Sequence, residues 1–502
     1  MNNFDLDQTI LDLGNSATNP YWTIRNAVEG VQIFGGIGSG KTSGSGKKLA
    51  EKYLKANFGG LVLTVKPDEK KEWIKYCNDA GRLNDLIIVE PGGDRFFNFL
   101  EYETKFSASQ SAITDNIVQV LKTVIRAGEE KDAGKSDDAF WENALDLLIF
   151  NVIDLCKLAY GELSVQHMYD IVQTIPRENE KLLPESEIGK FKAFQKAIYL
   201  AHKKVKKLID AWDKTLTKEQ QDGFDLDPQA YEKEMTIRVP ESRLYFFLDQ
   251  FFMDGFKNLS EKTRSIIDFS FSGFLFRLLR EPVYSLFCRY NSNFTPDDSL
   301  KGKIILLNLP VKLYHKIGRD CQIMFKYIWQ RRMEQRDVNQ NDRPVFLWAD
   351  EAQNFLHEHD ADFQATARSS RVATVYISQN LPNYYASMGG EKSAYKVKSF
   401  LGTLNTKIFH ANADIETNEY ASKLIGEDFI VDKTESINYN DTPSFGSSTR
   451  KQLMRLVRPE AFIQLKTGSP RNNHAVECIL HRQGDAIQNG YSFKLLTFRQ
   501  KQ

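Results

Sequence analysis

The segment 31–42, V-Q-I-F-G-G-I-G-S-G-K-T, constrains this chain more than any other stretch. Residues 31–34 read as a short buried strand, and a helix is expected over 48–56. Between them stand Gly35, Gly36, Gly38 and Gly40. Glycine takes positive φ without steric penalty, so this density predicts a turn closed to other residue types. Residues 35–42 match G-x-x-x-x-G-K-[ST], in which backbone N–H groups and a helix N-terminus face phosphate oxygens. The expected nucleotide cradle is Gly35, Gly36, Ile37, Gly38, Ser39, Gly40, Lys41, Thr42 and Ser43. Lys41 is placed on the β/γ-phosphates and the Thr42 hydroxyl on Mg²⁺, so ATP and Mg²⁺ are the expected ligands. A ligand-free Gly-rich turn is the competing reading; the strand before and the helix after weigh against it.

Other strands follow the same logic. Continuous apolar runs at 60–65, 85–90, 303–309, 344–349, 373–378, 407–410 and 475–481 suit strands buried on both faces, the last at the sheet edge. Helices are expected at 72–77 and 321–336, and the strand–helix alternation predicts a parallel α/β sheet. From about 105 to 298 the apolar spacing turns helical. Ile113, Ile117, Val120, Leu121 and Val124 form one face. Ala144, Leu147, Leu148 and Val152 form a second, and a third runs from Phe191 to Trp212. Segments 126–138 and 214–228 read as exposed loops, and 434–451, rich in Ser, Thr, Asn and Gly, as a mobile one. The expected organisation is an N-terminal lead-in (1–24), a discontinuous α/β domain (25–104 and 300–502), and an all-α domain between (105–299).

Charge narrows the partners. Lys plus Arg equals Asp plus Glu at 66 each, so no global field draws the chain to nucleic acid or anionic lipid, and any DNA-binding surface must be local. Five scattered cysteines without a C-x-x-C pair fit reduced thiols. The opening M-N-N-F-D-L-D-Q lacks the basic and apolar regions of a signal peptide. No apolar run reaches the ~18 residues of a spanning helix. A soluble cytoplasmic chain is expected.

Residues 345–351, V-F-L-W-A-D-E, form an apolar strand ending in two acids. Asp350 suits the water shell of Mg²⁺ opposite Thr42, and Glu351 suits activation of an attacking water. A plain N-cap is the alternative for Asp350. Gln379 ends the next strand, where its amide can bond both a γ-phosphate and the lytic water; a solvated strand end is the alternative. Arg368 and Arg371 lie between these strands, and either could neutralise transition-state charge in a neighbouring subunit, with Arg368 favoured over Arg371. Surface arginines are the bland reading. His357-Glu358-His359 is spaced i, i+2, which does not set both imidazoles on one helix face, so a solvated loop is expected rather than a metal site. The K-K-V-K-K run at 203–207 reads as a solvated helix face before a phosphate contact. The Phe-rich stretches 246–252 and 269–276 read as core before base-stacking surface.

With these residues placed, the chain resembles the coupling-protein family of type IV secretion, the conjugative DNA-transfer ATPases of TraG/TraD type. Phe97-Asn98-Phe99-Leu100 resembles the family's (W/F)NPL, with Phe99 in place of Pro. Phe140-Trp141 and 259–276 resemble its all-α domain. Segment 367–380, A-R-S-S-R through S-Q-N, resembles its R-(x)n-hhhhhQS segment, with Arg368 at the finger position. Residues 400–408, Glu416-Thr417 and 424–426 resemble a further stretch of the family. The resemblance implies a RecA-like P-loop domain with a large all-α insertion. It also implies a ring, hexameric when active, that hydrolyses ATP to pass DNA, with or without a relaxase, to a secretion channel. Many members carry N-terminal transmembrane helices; here a peripheral place at the inner membrane face, through a membrane-anchor protein, is implied instead. The family's DPKGE reads Lys66-Pro67-Asp68-Glu69-Lys70, which puts Lys66 where the family has an acid. An assembly ATPase that never touches DNA, and a nucleotide-gated scaffold, are the competing functions.

Overall fold

Apolar runs without alternation have no polar face to offer water, so they can only pair inside a covered sheet. The computed structural model, which describes residues 4–14, 20–106, 112–129, 139–389, 393–438 and 444–500, shows that outcome. The chain divides into two units, 1–88 with 296–502, and 89–295.

The first unit is a mixed α/β structure with a nine-stranded sheet. Its strands are β3 (Val31–Phe34), β4 (Gly59–Leu63), β5 (Leu86–Val89), β6 (Ile304–Leu307), β7 (Val345–Ala349), β8 (Val372–Ser378), β9 (Thr406–His410), β12 (Ala475–Arg482) and β13 (Phe493–Arg499). They are ordered β13-β12-β9-β3-β8-β7-β4-β6-β5. From β9 to β6 neighbouring strands pair parallel, and β12 and β13 pair antiparallel at one edge. β3 and β4, consecutive in the sheet's chain order, are separated by β8 and β7. The sheet therefore interleaves strands from both sides of the helical unit, which brings Asp350 next to Thr42. The expected edge strand 475–481 is internal. β13 takes the edge, and its alternating burial is the pattern of a strand covered on one face.

Residues before β3 are part of the core. β1 (Thr9–Asp12) and β2 (Tyr21–Thr23) form an antiparallel pair whose Ile10, Leu11 and Trp22 join the apolar cluster beneath the sheet. The helix Lys47–Lys55 buries Leu49, Ala50, Tyr53 and Leu54, an i, i+1, i+4, i+5 stripe that lays it on the sheet. Tyr53 stacks on Phe58 at 5.0 Å, and Trp73 from the helix Glu69–Asp79 stacks on Phe346 at 5.7 Å. Each such ring removed from water contributes about 1.5–3 kcal/mol.

Segment 434–451 is not the expected loop. β10 (Glu427–Asn438) and β11 (Ser444–Arg455) form a long antiparallel hairpin, with exposed Phe429, Ile430, Val431 and Leu453; residues 439–443 lie outside the described chain. Its Thr- and Ser-rich strands read as loop because they lack a buried face, yet they pair in continuous antiparallel register.

The second unit is helical among its described residues past β5, from Phe99–Phe106 to Glu261–Leu278. Ile117, Val120, Leu121 and Val124 are buried, as are Leu148, Val152, Phe194 and Val205; the Ile113 side chain is outside the described set. Several expectations fail here. Leu147 is exposed. Segment 214–228 contains a solvent-facing helix, Lys218–Leu226, begun by a Thr217/Gln220 capping box, a signal present in T-K-E-Q. Phe252, Phe271 and Phe274 are core, but Phe246, Phe247, Phe269 and Phe276 face solvent. Lys203, Lys204, Lys206 and Lys207 form the expected solvated face. Expected loop 126–138 is helical to Glu129, and 130–138 lie outside the described residues, as do the side chains of Phe140 and Trp141.

Candidate nucleotide-binding site

Four central parallel strands deliver the candidate residues to the carboxyl end of the sheet. β3 ends in the glycine loop, β7 in Asp350-Glu351, β8 in Ser378-Gln379 and β4 in Thr64–Lys66 territory (64–66). Carboxyl ends of parallel strands at a crossover are where open α/β sheets bind ligands.

Within the loop only Gly38 (φ +70°) and Gly40 (φ +80°) take positive φ, so the expectation for Gly35 and Gly36 is corrected. Gly35 is constrained by space instead: a Cβ there would meet Ser39 Oγ at 2.4 Å. Ile37 projects into solvent, whereas Ser39 and Lys41 are buried, and the Ser39 hydroxyl has no hydrogen-bond partner. A buried, unsatisfied donor in a glycine loop fits an anionic ligand. Thr42–Gly46 is a π-helical turn ahead of the helix Lys47–Lys55. Gly44 and Gly46 let it lie against Val476 and under the Lys41 carbonyl, each 3.0 Å from a would-be Cβ. Ser43 is exposed and accepts from the Gln500 amide at 2.7 Å.

Opposite the loop, Thr42 Oγ1 donates to Asp350 Oδ2 at 2.9 Å, across 308 residues of sequence. Asp350 is buried, and burial pushes its carboxyl above the usual range while the Lys66 charge pulls it back. Glu351 has left-handed backbone (φ 48°, ψ 51°), a strained state for a non-glycine residue that concentrates at functional sites. Its carboxylate is surrounded by donors and cations. Lys41 Nζ lies 3.9 Å away, Gln353 Nε2 donates at 2.8 Å and Gln379 Nε2 at 3.2 Å. Lys66, the residue that departs from the family pattern, sits 4.0 Å from Glu351 Oε1. Thus Lys41, Thr42, Asp350, Glu351 and Gln379 converge. Gln353, which also accepts from Ser378 Oγ at 2.9 Å, was missed in the sequence, although D-E-A-Q places it two residues past Glu351. Asn412, at the end of β9, donates to the Gln379 carbonyl at 2.8 Å.

The arginines lie elsewhere. Arg368 follows the helix Asp360–Ala367 and precedes β8, so the length of that strand, about 20 Å, separates it from Gln379. It is 61% exposed, 3.6 Å from Glu29. Arg371 is tied down, donating to the Phe4 and Asp342 carbonyls at 2.7 and 3.0 Å.

His357 is not in a solvated loop. It is buried, its Nε2 is 3.1 Å from Gln330 Oε1, and burial pushes its pKa down to about 3. Beside it Lys326 and Asp360 form a fully buried ion pair at 2.7 Å. Among the described residues no three His, Cys, Asp or Glu side chains converge to hold a metal by themselves. A P-loop cation does not require that, because Thr42, Asp350 and phosphate oxygens supply its surroundings; the Thr42–Asp350 pair fits such an ion. No helix among the described residues is long and apolar enough to cross a membrane.

Comparison with known proteins points the same way. No curated protein matches the sequence. The fold matches the coupling protein TrwB in three solved forms. "Bacterial conjugative coupling protein TrwBdeltaN70", unbound, superposes with TM-score 0.58 at 12% identity, covering 99% of this chain and 91% of that one. The TrwB complex with ADP and Mg²⁺ gives TM-score 0.59 at 12% identity over 99% and 90%. The complex with the GTP analogue GDPNP gives 0.60 at 13% over 99% and 90%. Residues 344–467 match the family described as "TraM recognition site of TraD and TraG". That segment holds Asp350, Glu351, Arg368, Gln379 and the β10–β11 hairpin. The chain therefore has the fold of TrwB, an α/β unit with a largely parallel sheet together with an all-α unit, and its residues 344–467 are similar to the segment described for TraD and TraG.

Proposed function

We propose that this chain is an ATPase that drives DNA, alone or joined to a relaxase, into a type IV secretion channel. The observation that carries the reading is the convergence of Lys41, Thr42, Asp350, Glu351 and Gln379 at the carboxyl ends of central strands. Lys41 neutralises charge on the β/γ-phosphates, and Glu351 orients and deprotonates the attacking water. Gln379 and Gln353 hold that carboxylate, so a shift of β8 relative to β7 moves the base. Mg²⁺, held by Thr42 and Asp350, supplies charge neutralisation when bound. The TrwB complexes with ADP–Mg²⁺ and with nucleotide analogues support nucleotide binding here.

An arginine from a neighbouring copy completes the site. Arg368 suits that role because it is exposed and far from its own Glu351, whereas Arg371 is engaged within its own chain. This implies a ring, hexameric by family resemblance. The 344–467 match supports docking of a TraM-like protein on this segment. A balance of 66 basic and 66 acidic residues favours a second reading, a secretion ATPase that powers assembly without touching DNA.

Steady-state hydrolysis with and without single- and double-stranded DNA separates them. Stimulation by DNA, abolished by Lys41→Ala, supports the translocase. Hydrolysis indifferent to DNA supports the assembly ATPase. ATP bound without hydrolysis leaves a nucleotide-gated scaffold.

A further inference from the structure

A small cavity opens beside the candidate cation site, lined by Thr42, Asp350, Glu69, Glu72, Trp73 and Tyr76 among others. It has about 10 Å³ of space, roughly one water molecule. Glu69 is the unusual member. It lies in the first turn of the helix Glu69–Asp79, 7% exposed, with Oε2 accepting from the Val65 N–H at 2.7 Å. Its other oxygen, Oε1, is buried and has no hydrogen-bond partner. A buried carboxylate oxygen without a partner costs stability unless a donor or cation reaches it. Burial and the charge of Asp350 push the Glu69 pKa up to about 8, against the opposing charge of Lys66. Three acids, Asp350, Glu69 and Glu72, line the cavity against one cation, Lys47, and the glycine loop beside it suits a nucleotide whose cation would add positive charge there.

We propose that Glu69 is a positioning residue for the divalent cation, and would hold a water of its shell beside Asp350 and Thr42. The role is through water, because Glu69 and its acidic neighbours do not converge closely enough to coordinate an ion themselves. This assigns to the helix after β4 a part in cation binding that neither the glycine loop nor the Asp350-Glu351 pair carries. It rests on the reading of these strand ends as a nucleotide–Mg²⁺ site.

The test uses the full chain and ADP, measured by calorimetry in EDTA and in excess Mg²⁺, with Glu69→Gln and Asp350→Asn variants. Gln keeps the size and can still accept from Val65. In Glu69→Gln the affinity for ADP in EDTA should match the wild type, while the tightening produced by Mg²⁺ falls by about tenfold, the loss expected when an outer partner of a metal is removed. Thermal melting in EDTA should be no lower than for the wild type, since Gln keeps the acceptor for Val65 and removes a buried ionisable acid. Wild-type tightening by Mg²⁺ in Glu69→Gln, with Asp350→Asn impaired, overturns this proposal and leaves the nucleotide site standing. A lowered melting temperature in EDTA also overturns it, by making Glu69 a structural cap for Val65. Tightening that survives Asp350→Asn as well overturns the nucleotide–Mg²⁺ reading itself.

Discussion

The two units differ in where they place charge and apolar rings. The α/β unit buries charge: Lys326 and Asp360 pair with no solvent exposure, Arg482 is enclosed, and His357 and His410 are held neutral inside. The helical unit leaves apolar surface in water, with Phe269 80% and Leu226 88% exposed. Buried charges need partners at defined distances, so the first unit has one permitted arrangement around its strand ends. The helical unit is under no such constraint on its outer face. Exposed aromatic rings there are free to meet another molecule, and large apolar patches on soluble domains mark interaction surfaces.

The largest effect that sharpens this contrast is catalytic. Glu351→Gln keeps the contacts to Gln353 and Gln379 but removes the base, and should lower the hydrolysis rate about 10²–10⁴-fold with nucleotide binding retained. A rate within tenfold of wild type would take Glu351 out of the chemistry. Next, Lys326→Met leaves Asp360 charged and unpaired in the core, and chemical unfolding should show a loss of about 3–5 kcal/mol. An unchanged midpoint would mean the buried pair is dispensable, and the contrast between the units would lose its basis.

In the helical unit, Phe271→Ala should cost about 3–5 kcal/mol because the ring is fully buried, while Phe269→Ala, two residues away, should stay within about 0.5 kcal/mol. If Phe269→Ala is neutral for stability but reduces stimulation by single-stranded DNA, the exposed rings gain a stacking role. The smallest expected effect is in pH. His357 and His410 are pushed down to about 3 and His481 to about 4, chiefly by burial. Their unfolded forms take up protons near pH 6.5 and the folded ones do not, so the unfolded state binds more protons and stability falls as pH drops below about 6.5. Thermal melting from pH 7.5 to 5 checks this, and replacing His357 with Gln should flatten the slope in part.

Much of the site was legible in the sequence because its parts obey local rules. A glycine loop after an apolar strand, an acid pair closing a second strand and a glutamine closing a third each declare themselves within a few residues. Their meeting also followed, since all three stand at carboxyl ends of buried strands. Gln353 and Glu69 were not legible in this way. Each is a polar residue early in a turn or helix, and only the partners that the fold brings, or fails to bring, distinguish it from a solvated neighbour. The same limit explains the errors over His357 and the phenylalanines. Polarity suggested water for a histidine that found Gln330, and hydrophobicity suggested burial for rings that found no cover.

The sequence by itself determined the fold class, the glycine cradle and the strand-end acids, because these depend on backbone freedom and on apolar runs a few residues long. Tertiary structure alone decided which arginine stays exposed, which carboxylate oxygen lacks a partner, and that the residues before β3 belong to the core. Those outcomes depend on pairings between residues tens to hundreds of positions apart, set by the sheet order, and no local pattern records them.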